Sequence, residues 1–476
     1  MIPVALILIP LLTGLLGFGL KDARLVKGLA LLSSIATLAV SLLSLTAVPA
    51  SVSFDADWLP QIGSRFTLHM DGMSKMLCLL TALAFPLIFI AVQQNTYNKP
   101  NNFYVLMLLS QAGLLGVFLA ADALVFYFAW ELALIPVYFL CSIWGGEKRI
   151  AVTFKFFVYT FVGSLLMLVG ILYLYFHSPE HSFAIASFYK IKVAAEHENY
   201  IFWLFFLAFA IKMPVFPFHT WQPDAYEQSP TAVTMVMSGI MVKMGIYAVI
   251  RWLIPILPGA SAHFADTVII LSIIGMLYAS LIAIRQDDLK RLIAYSSIAH
   301  IGLMCAAIFA YNKTGLEGVM VQMFNHGINV IGLWILADAI EQQLGTRKLS
   351  ELGGLARKAP VMAILLMIMA FANVALPLTN AFVGEFLMFN GLFHYNMWMT
   401  AVAGISVILA AVYTLSMVQK VIYGDAGSAT SAATEISGNR QWVLIVIALL
   451  ILILGVYPQP LIELTKDTVQ AIIVNR

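Results

Sequence analysis

Charge is what this sequence has least of. Asp, Glu, Lys and Arg make up 11% of its 476 residues, and 61% of the residues are hydrophobic. A soluble domain covers its surface with roughly 25% charged residues, so a soluble globular fold is excluded. Cysteine is scarce as well. Cys78, Cys141 and Cys305 all lie in apolar runs and read as small core residues, with no disulfide framework and no metal site. The net charge of +2 says nothing about partners, and there is no basic run that would point to nucleic acid, so none is expected. The chain has no nucleotide loop, no dinucleotide fingerprint and no haem or iron–sulfur ligand pattern. It is expected to carry neither redox chemistry nor ATP hydrolysis by itself. No basic stretch precedes the first apolar run and no small-residue cleavage site follows it, so that run reads as a retained helix.

Long hydrophobic runs are what it has. A helix needs roughly 20 apolar residues to cross a bilayer. Such runs lie near 2–20, 25–46, 73–93, 103–121, 122–143, 155–176, 200–226, 229–253, 266–284, 289–310, 314–341, 359–395, 398–422 and 441–457. The expected fold is an all-α polytopic membrane protein of about fourteen transmembrane helices. Fifteen Lys and Arg in one set of alternate loops against eight in the other place the first set in the cytoplasm and both termini on the other side. Extramembrane parts are small. Residues 51–70 alternate apolar and polar on either side of Pro60–Gly63 and predict a hairpin lying outside. The tail PQPLIELTKDTVQAIIVNR predicts a short amphipathic surface helix, and 178–200 an extramembrane link.

Ionisable residues inside these runs recur at a near-constant offset. Glu131 and His300 are 169 residues apart, Lys155 and His326 are 171, and Lys212 and Glu385 are 173. Five helices in each half make the second unit inverted relative to the first, the usual build of secondary transporters. The expected organisation is helices 1–3 with the hairpin over 1–100, a first five-helix repeat over 101–258, a second, inverted one over 259–424, and a last helix with the tail over 425–476. Each repeat has one discontinuous helix. Pro214 and Pro217 follow Lys212 and are expected to free the carbonyls of Ala210 and Met213, and Pro377 to free that of Asn373. A proline kink alone is usually architectural. A kink beside a buried charge in both halves points to a site, because bare backbone at membrane depth must be covered by protein or water.

A charged group at bilayer depth costs roughly 2.5–3.5 kcal/mol on insertion scales, so Lys212 and Lys243 need partners or a hydrated path. Glu131 is the best placed counter-ion for Lys212. In low dielectric a Glu–Lys pair favours both charged forms, and separating it favours both neutral forms, which makes the pair a switch. A lone buried histidine is more often structural, but His300 and His326, near Ser296, Ser297, Asn325 and Asn329, lie on neighbouring helices and suit proton transfer. Glu385 closes the series. Three positions are secondary. Asp122 reads first as a cap for the Glu131 helix. Lys155 either approaches the pair or reaches the surface, and His219 orients the broken helix. The run RQDDLKRLIAY reads as a charged loop and helix start.

The segments FAWELALIPVYF, FAIKMPVFPFHTWQPDAYEQSPTA, DDLKRLIAYSSIAHIG, MFNHGI and AFVGEF, in this order over nearly the whole chain, resemble the antiporter-like membrane subunits of respiratory complex I. Among them the M-type branch has glutamate at the second break where the L- and N-type branches have lysine, and Glu385 matches the M-type. The resemblance implies a proton-translocating module in the membrane arm of an NADH–quinone oxidoreductase, in the inner membrane of a bacterium. The residues matching Glu131 and Lys212 would be the coupled pair, those matching Lys243, His300 and His326 the central hydrated axis, and Glu385 the terminal site. L- and N-type subunits would be partners alongside the lipid bilayer. NADH, FMN, iron–sulfur clusters and quinone would belong to partner subunits, with no cofactor and no metal on this chain. Two other readings stand beside it: a subunit of a multi-subunit cation/proton antiporter, and a passive membrane scaffold. The scaffold gives no reason for six buried ionisable groups.

Overall fold

The computed structural model describes residues 1–425, 427, 429–436 and 438–474. Asn475 and Arg476, at the end of the predicted tail, lie outside them. Helices α1 (Ile2–Gly17) and α2 (Ala23–Leu45) come first. Strands β1 (Ser53–Leu59) and β2 (Ser64–His69) pair antiparallel, with Ser53 opposite His69 and Phe54 opposite Leu68. Then follow α3 (Gly72–Ala91), α4 (Pro100–Leu119), α5 (Ala123–Trp144) and α6 (Arg149–His177). Next come α7 (Ala195–Lys212), α8 (Gln222–Gln228), α9 (Thr231–Ile256), α10 (Ala265–Arg285), α11 (Leu289–Phe309) and α12 (Lys313–Leu344). The chain ends with α13 (Pro360–Asn373), α14 (Asn380–Tyr395), α15 (Met397–Ile422), α16 (Gly438–Val456) and α17 (Gln459–Val474).

Among the described residues eleven of these helices are long and apolar enough to cross a membrane, and α1 and α13 are shorter apolar helices. This is a polytopic membrane protein. The helices differ sharply in what they bury. The apolar stretches of α9 and α12 are 100% buried inside the protein and that of α11 is 94% buried, against 33% for α2 and α16. The latter leave many of their leucines and isoleucines uncovered by the rest of the chain. The three innermost helices are therefore the ones that carry Lys243, His300 and His326.

Asp122 closes the start of α5. Its Oδ1 accepts from the N–H groups of Leu124 (2.9 Å) and Val125 (3.2 Å) and from the Ser64 hydroxyl (3.0 Å), and its Oδ2 from the Arg65 N–H (3.2 Å). It is a cap that also ties the hairpin down. Burial raises this carboxyl above its ordinary range, and these donors offset only part of that. Asp122→Ala is expected to lose about 1–2 kcal/mol, as caps do, and Asp122→Asn less. The thermal midpoint of the purified protein measures this, and loss of transport without a fall in midpoint would return Asp122 to the site. At the same end Asp71, the residue before α3, bonds Arg251 of α9. Burial by itself would raise the Asp71 carboxyl, but the Arg251 guanidinium and the Ser74 N–H hold it below the usual carboxylate range.

Both proline segments interrupt their helices. The first gap runs from Lys212 to Gln222 and the second from Asn373 to Asn380. One expectation needs correcting. The Ala210 carbonyl is not bare, because the Val215 N–H reaches back to it at 2.9 Å, and the Trp221 indole N–H covers the Ile211 carbonyl at 3.0 Å. In the second gap the Leu376 N–H takes the Phe371 carbonyl at 3.0 Å, and the Thr379 hydroxyl takes the Leu376 carbonyl at 2.7 Å. Widened turns and side chains thus supply much of the cover that bilayer depth demands. Ala375 and Leu378 are in the left-handed region, at φ 55° and 74°, a cost of order 1–2 kcal/mol each for residues with a Cβ. Strain of this kind persists where the surroundings fix it, often at working sites.

The sequence pattern gives α9 as one plain helix. It instead contains two π turns, Met237–Met241 and Val249–Leu253, on either side of Lys243. Helix α6 begins at Arg149, so Lys155 lies inside it.

Candidate functional site

A connected set of buried polar groups runs from Lys243 on α9 to Glu385 on α14. Lys243 is fully buried, and its Nζ lies 2.9 Å from the Ser238 carbonyl and 2.8 Å from Nδ1 of His326. When Lys243 is an ammonium it can only donate, and then Nδ1 accepts and Nε2 carries the ring proton toward the Ser297 hydroxyl at 3.2 Å. The rings of His326 and His300 have their centroids 5.6 Å apart. His300 Nδ1 lies 2.8 Å from Glu385 Oε1, and the Gln322 amide donates to the same oxygen at 3.4 Å. Lys243, His326, His300 and Glu385 are thereby brought together in that order. Glu385 on α14 reaches this axis because glycines let α12 and α14 approach. A Cβ on Gly384 would fall 2.5 Å from Gln322 Oε1, and one on Gly391 2.5 Å from the Gly315 Cα.

A cavity of about 20 Å³ adjoins His300, Glu385 and Tyr413, which is room for one water. The Tyr413 hydroxyl meets Ser296 at 3.0 Å, and Ser296 accepts from Asn373 at 2.8 Å, linking the axis to the second break. Asn325 and Asn329 bind the other lip of that break, at the Asn380 carbonyl (2.7 Å) and side chain (2.9 Å).

The region around Lys212 is different. Lys212 is buried and its Nζ has no hydrogen-bond partner in the protein, and neither does Glu131 Oε1. No ion pair within 4 Å joins them among the described residues, so the expected pair is apart in this structure. Lys212 Nζ faces the ring of Trp130, 5.4 Å from its centroid. A cation over an indole face is held by about 0.5–2 kcal/mol, less than a charge pair at contact distance. Both amide atoms of Gln111 and of Gln222 and the Tyr226 hydroxyl are also buried and unpaired by protein. Buried polar atoms left in this way are ordinarily met by water.

Lys155 does not approach this region. Its Nζ binds the Thr220 carbonyl at 2.8 Å and Asp224 at 2.9 Å. There it begins a ribbon of ion pairs. Asp224 meets Arg291 at 3.1 Å, Arg291 meets Glu227 at 2.8 Å, and Glu227 meets Arg347 at 2.7 Å. Arg347 meets Glu341 at 3.2 Å and also Asp288, and Glu341 meets Lys290 at 2.5 Å. His219 is packed between rings, 5.6 Å from Phe216 and 5.3 Å from Tyr278, with Nδ1 unpaired. Among the described residues no group of three His, Cys, Asp or Glu is arranged to hold a metal ion.

Sequence reasoning missed Trp130, Gln322, Tyr413 and the closed ribbon. Gln322 had a readable signal, since it lies one turn before His326 on the same helix face. Trp130 adjoins Glu131 in sequence. Tyr413 and Glu341 gave none, because their partners lie 117 and 51 positions away.

The comparisons with known proteins agree over nearly the full length. Residues 120–410 match the family described as "NADH:quinone oxidoreductase/Mrp antiporter, TM". The chain is similar to NADH-quinone oxidoreductase subunit M of Rhodobacter capsulatus, 34% identical over 96% of this chain and 92% of that one. It is as similar to F(420)H(2) dehydrogenase subunit M of Methanosarcina mazei, 34% identical over 99% and 98%. Among solved structures, a chain of respiratory complex I from Thermus thermophilus with bound NADH superposes with a TM-score of 0.91 at 30% identity, covering 99% of this chain and 100% of that one.

Proposed function

The chain belongs to the NADH:quinone oxidoreductase/Mrp antiporter transmembrane family, and on that premise we propose that it is the M-type proton-translocating subunit in the membrane arm of an NADH–quinone oxidoreductase. The observation that carries this reading is the buried run Lys243–His326–His300–Glu385, wired at 2.8 Å at both ends, its first three members on the innermost helices and Glu385 on α14. Such a run moves a proton by small changes at each contact, and a scaffold has no use for it.

Each group has a distinct part. Lys212 and Glu131 form the switch, apart in one state and paired in another. Pairing would favour the ammonium and carboxylate forms and separation the neutral ones. Lys243 passes its proton to Nδ1 of His326, whose Nε2 proton goes to Ser297 or to water. His300 takes a proton on the side of the unpaired Nε2 and releases the Nδ1 proton to Glu385. Glu385 is the terminal site beside the second break. Counting α7 with α8 and α13 with α14 as one pass each gives fourteen passes in two inverted five-pass units. Both termini then face away from the cytoplasm, in a bacterial inner membrane. L- and N-type subunits flank the chain, and NADH, FMN, iron–sulfur clusters and quinone are held by other subunits.

Lys243→Met keeps an unbranched side chain of similar length and removes the proton carrier. At matched levels of assembled complex it is expected to cut NADH-driven proton uptake by vesicles at least about tenfold, the low end of what a positioned acid or base contributes. Unchanged uptake would favour the scaffold. Uptake that required sodium would favour a cation/proton antiporter, a reading the family description also covers.

A further inference from the structure

Lys290 is the second residue of α11 and is only 5% exposed. Two surface cavities, of about 540 and 420 Å³, both reach it. Its Nζ lies 2.5 Å from Glu341 and 3.3 Å from the hydroxyl of Thr231, the first residue of α9. From there a buried hydroxyl stripe, Thr231, Thr234 and Ser238, runs along α9. Spacings of three and four keep it on one face, and the residues between are apolar. The stripe ends at the Ser238 carbonyl, which accepts from Lys243. Thr231 and Lys243 are about 18 Å apart along the helix.

From this juxtaposition we propose that Lys290 is the group that passes protons from the water of the two cavities to Lys243, along the hydroxyl stripe of α9. The proposal rests on the proton-translocating function and adds an inlet that is separate from Glu131 and Lys212. In the step itself one N–H bond of the Lys290 ammonium breaks as its proton passes to water at the Thr231 hydroxyl, and one forms again as cavity water returns a proton. Inward, the Lys243 amine, neutral after giving its proton to His326, takes up one proton, so one proton moves inward and each lysine ends as it began.

The competing role for Lys290 is a brace in the ion-pair ribbon. Two observations weigh against it. Arg347 already joins Glu341 to Glu227 and Asp288, so the ribbon is closed without Lys290. The interior cations of the ribbon are arginines, Arg291 and Arg347, which keep their protons at any working pH, whereas its ends are the lysines Lys155 and Lys290. Only a lysine can release a proton, and this one sits where the cavities meet the stripe.

The test is Lys290→Arg in the whole assembled complex reconstituted in vesicles. Arginine retains the charge and a bond to Glu341 but cannot deprotonate. Proton uptake is expected to fall about tenfold, with a larger slowing in deuterated water than the parent shows. A brace would not change the isotope effect. Uptake at the parent rate overturns the inlet, while loss of uptake in Lys243→Met under the same conditions leaves the broader function standing. Should Lys290→Arg prevent assembly, Thr231→Val decides. It keeps the Lys290–Glu341 pair and removes the hydroxyl, so lowered uptake with the raised isotope effect supports the inlet and the parent rate excludes it.

Discussion

An assembled complex carrying Lys212→Ala pumps protons at a small fraction of the parent rate, lower by roughly 10²-fold if this lysine is the acid–base group of its half. The reason lies in the unpaired state of the first half. Lys212 Nζ and Glu131 Oε1 are both buried and without a hydrogen-bond partner in the protein, and the ammonium lies over Trp130 at 5.4 Å with Glu131 acting on it only from beyond contact distance. Two opposite charges at 4 Å and an effective dielectric near 20 attract by about 4 kcal/mol, while the indole face returns about 0.5–2 kcal/mol. The two arrangements therefore differ by a few kcal/mol, a gap that a change in hydration or in a neighbouring subunit is able to reverse. Glu131→Ala is expected to be nearly as damaging, and Glu131→Asp milder, because the charge remains on a shorter stem. Vesicle proton uptake, corrected for assembly, gives the answer. Parent rates for Lys212→Ala would remove the pair from the mechanism.

The second large effect is expected at Glu385. Glu385→Gln keeps the shape and an oxygen for His300 but cannot ionise, so coupled proton uptake and turnover fall together by about tenfold or more. Glu385→Ala also leaves His300 without its 2.8 Å contact, buried and unpaired at both ring nitrogens, and is expected to be worse. Glu385→Lys is the informative change. Gln322 Oε1 is buried and has no partner, and a neutral His300 offers a lone pair on Nδ1, so an ammonium at this place has two acceptors. If the position works by titration, lysine is less damaging than alanine. If Gln and Ala both pump at the parent rate, Glu385 is a packing residue and the axis ends at His300.

The helices and both breaks were legible in the sequence, because apolar length and proline act locally. Pro214, Pro217 and Pro377 each stop a helix within a few residues, and the structure shows nonhelical backbone at each. The secondary role of Asp122 was legible for the same reason, since capping involves the next three residues. The partner of Lys212 was not. A lysine side chain has four rotatable bonds, and whether it reaches Glu131 or lies over Trp130 depends on water and packing that spacing does not encode. Lys290 and Arg291 were read as part of a charged loop and helix start because their partners Asp224, Glu227 and Glu341, and Arg347 beside them, come from two other segments. Only folding makes them neighbours. The Ala210 carbonyl was misjudged because the backbone found a longer turn, closing on Val215.

The two π turns of α9 leave no mark in composition, yet they set where Lys243 points. A π turn holds one residue more than α winding requires. Wound as plain α-helix, the same residues 237–241 would swing one end of α9 against the other by about 100°. Lys243 would then face away from His326 with every side chain of the axis still present. The direction of Lys243 is thus set by how these residues are wound rather than by their identity. Removing one residue from 237–241 would be absorbed by a return to α winding, whereas one residue added to the α-wound stretch 231–236 would set Thr231 and Lys243 out of phase by about 100°.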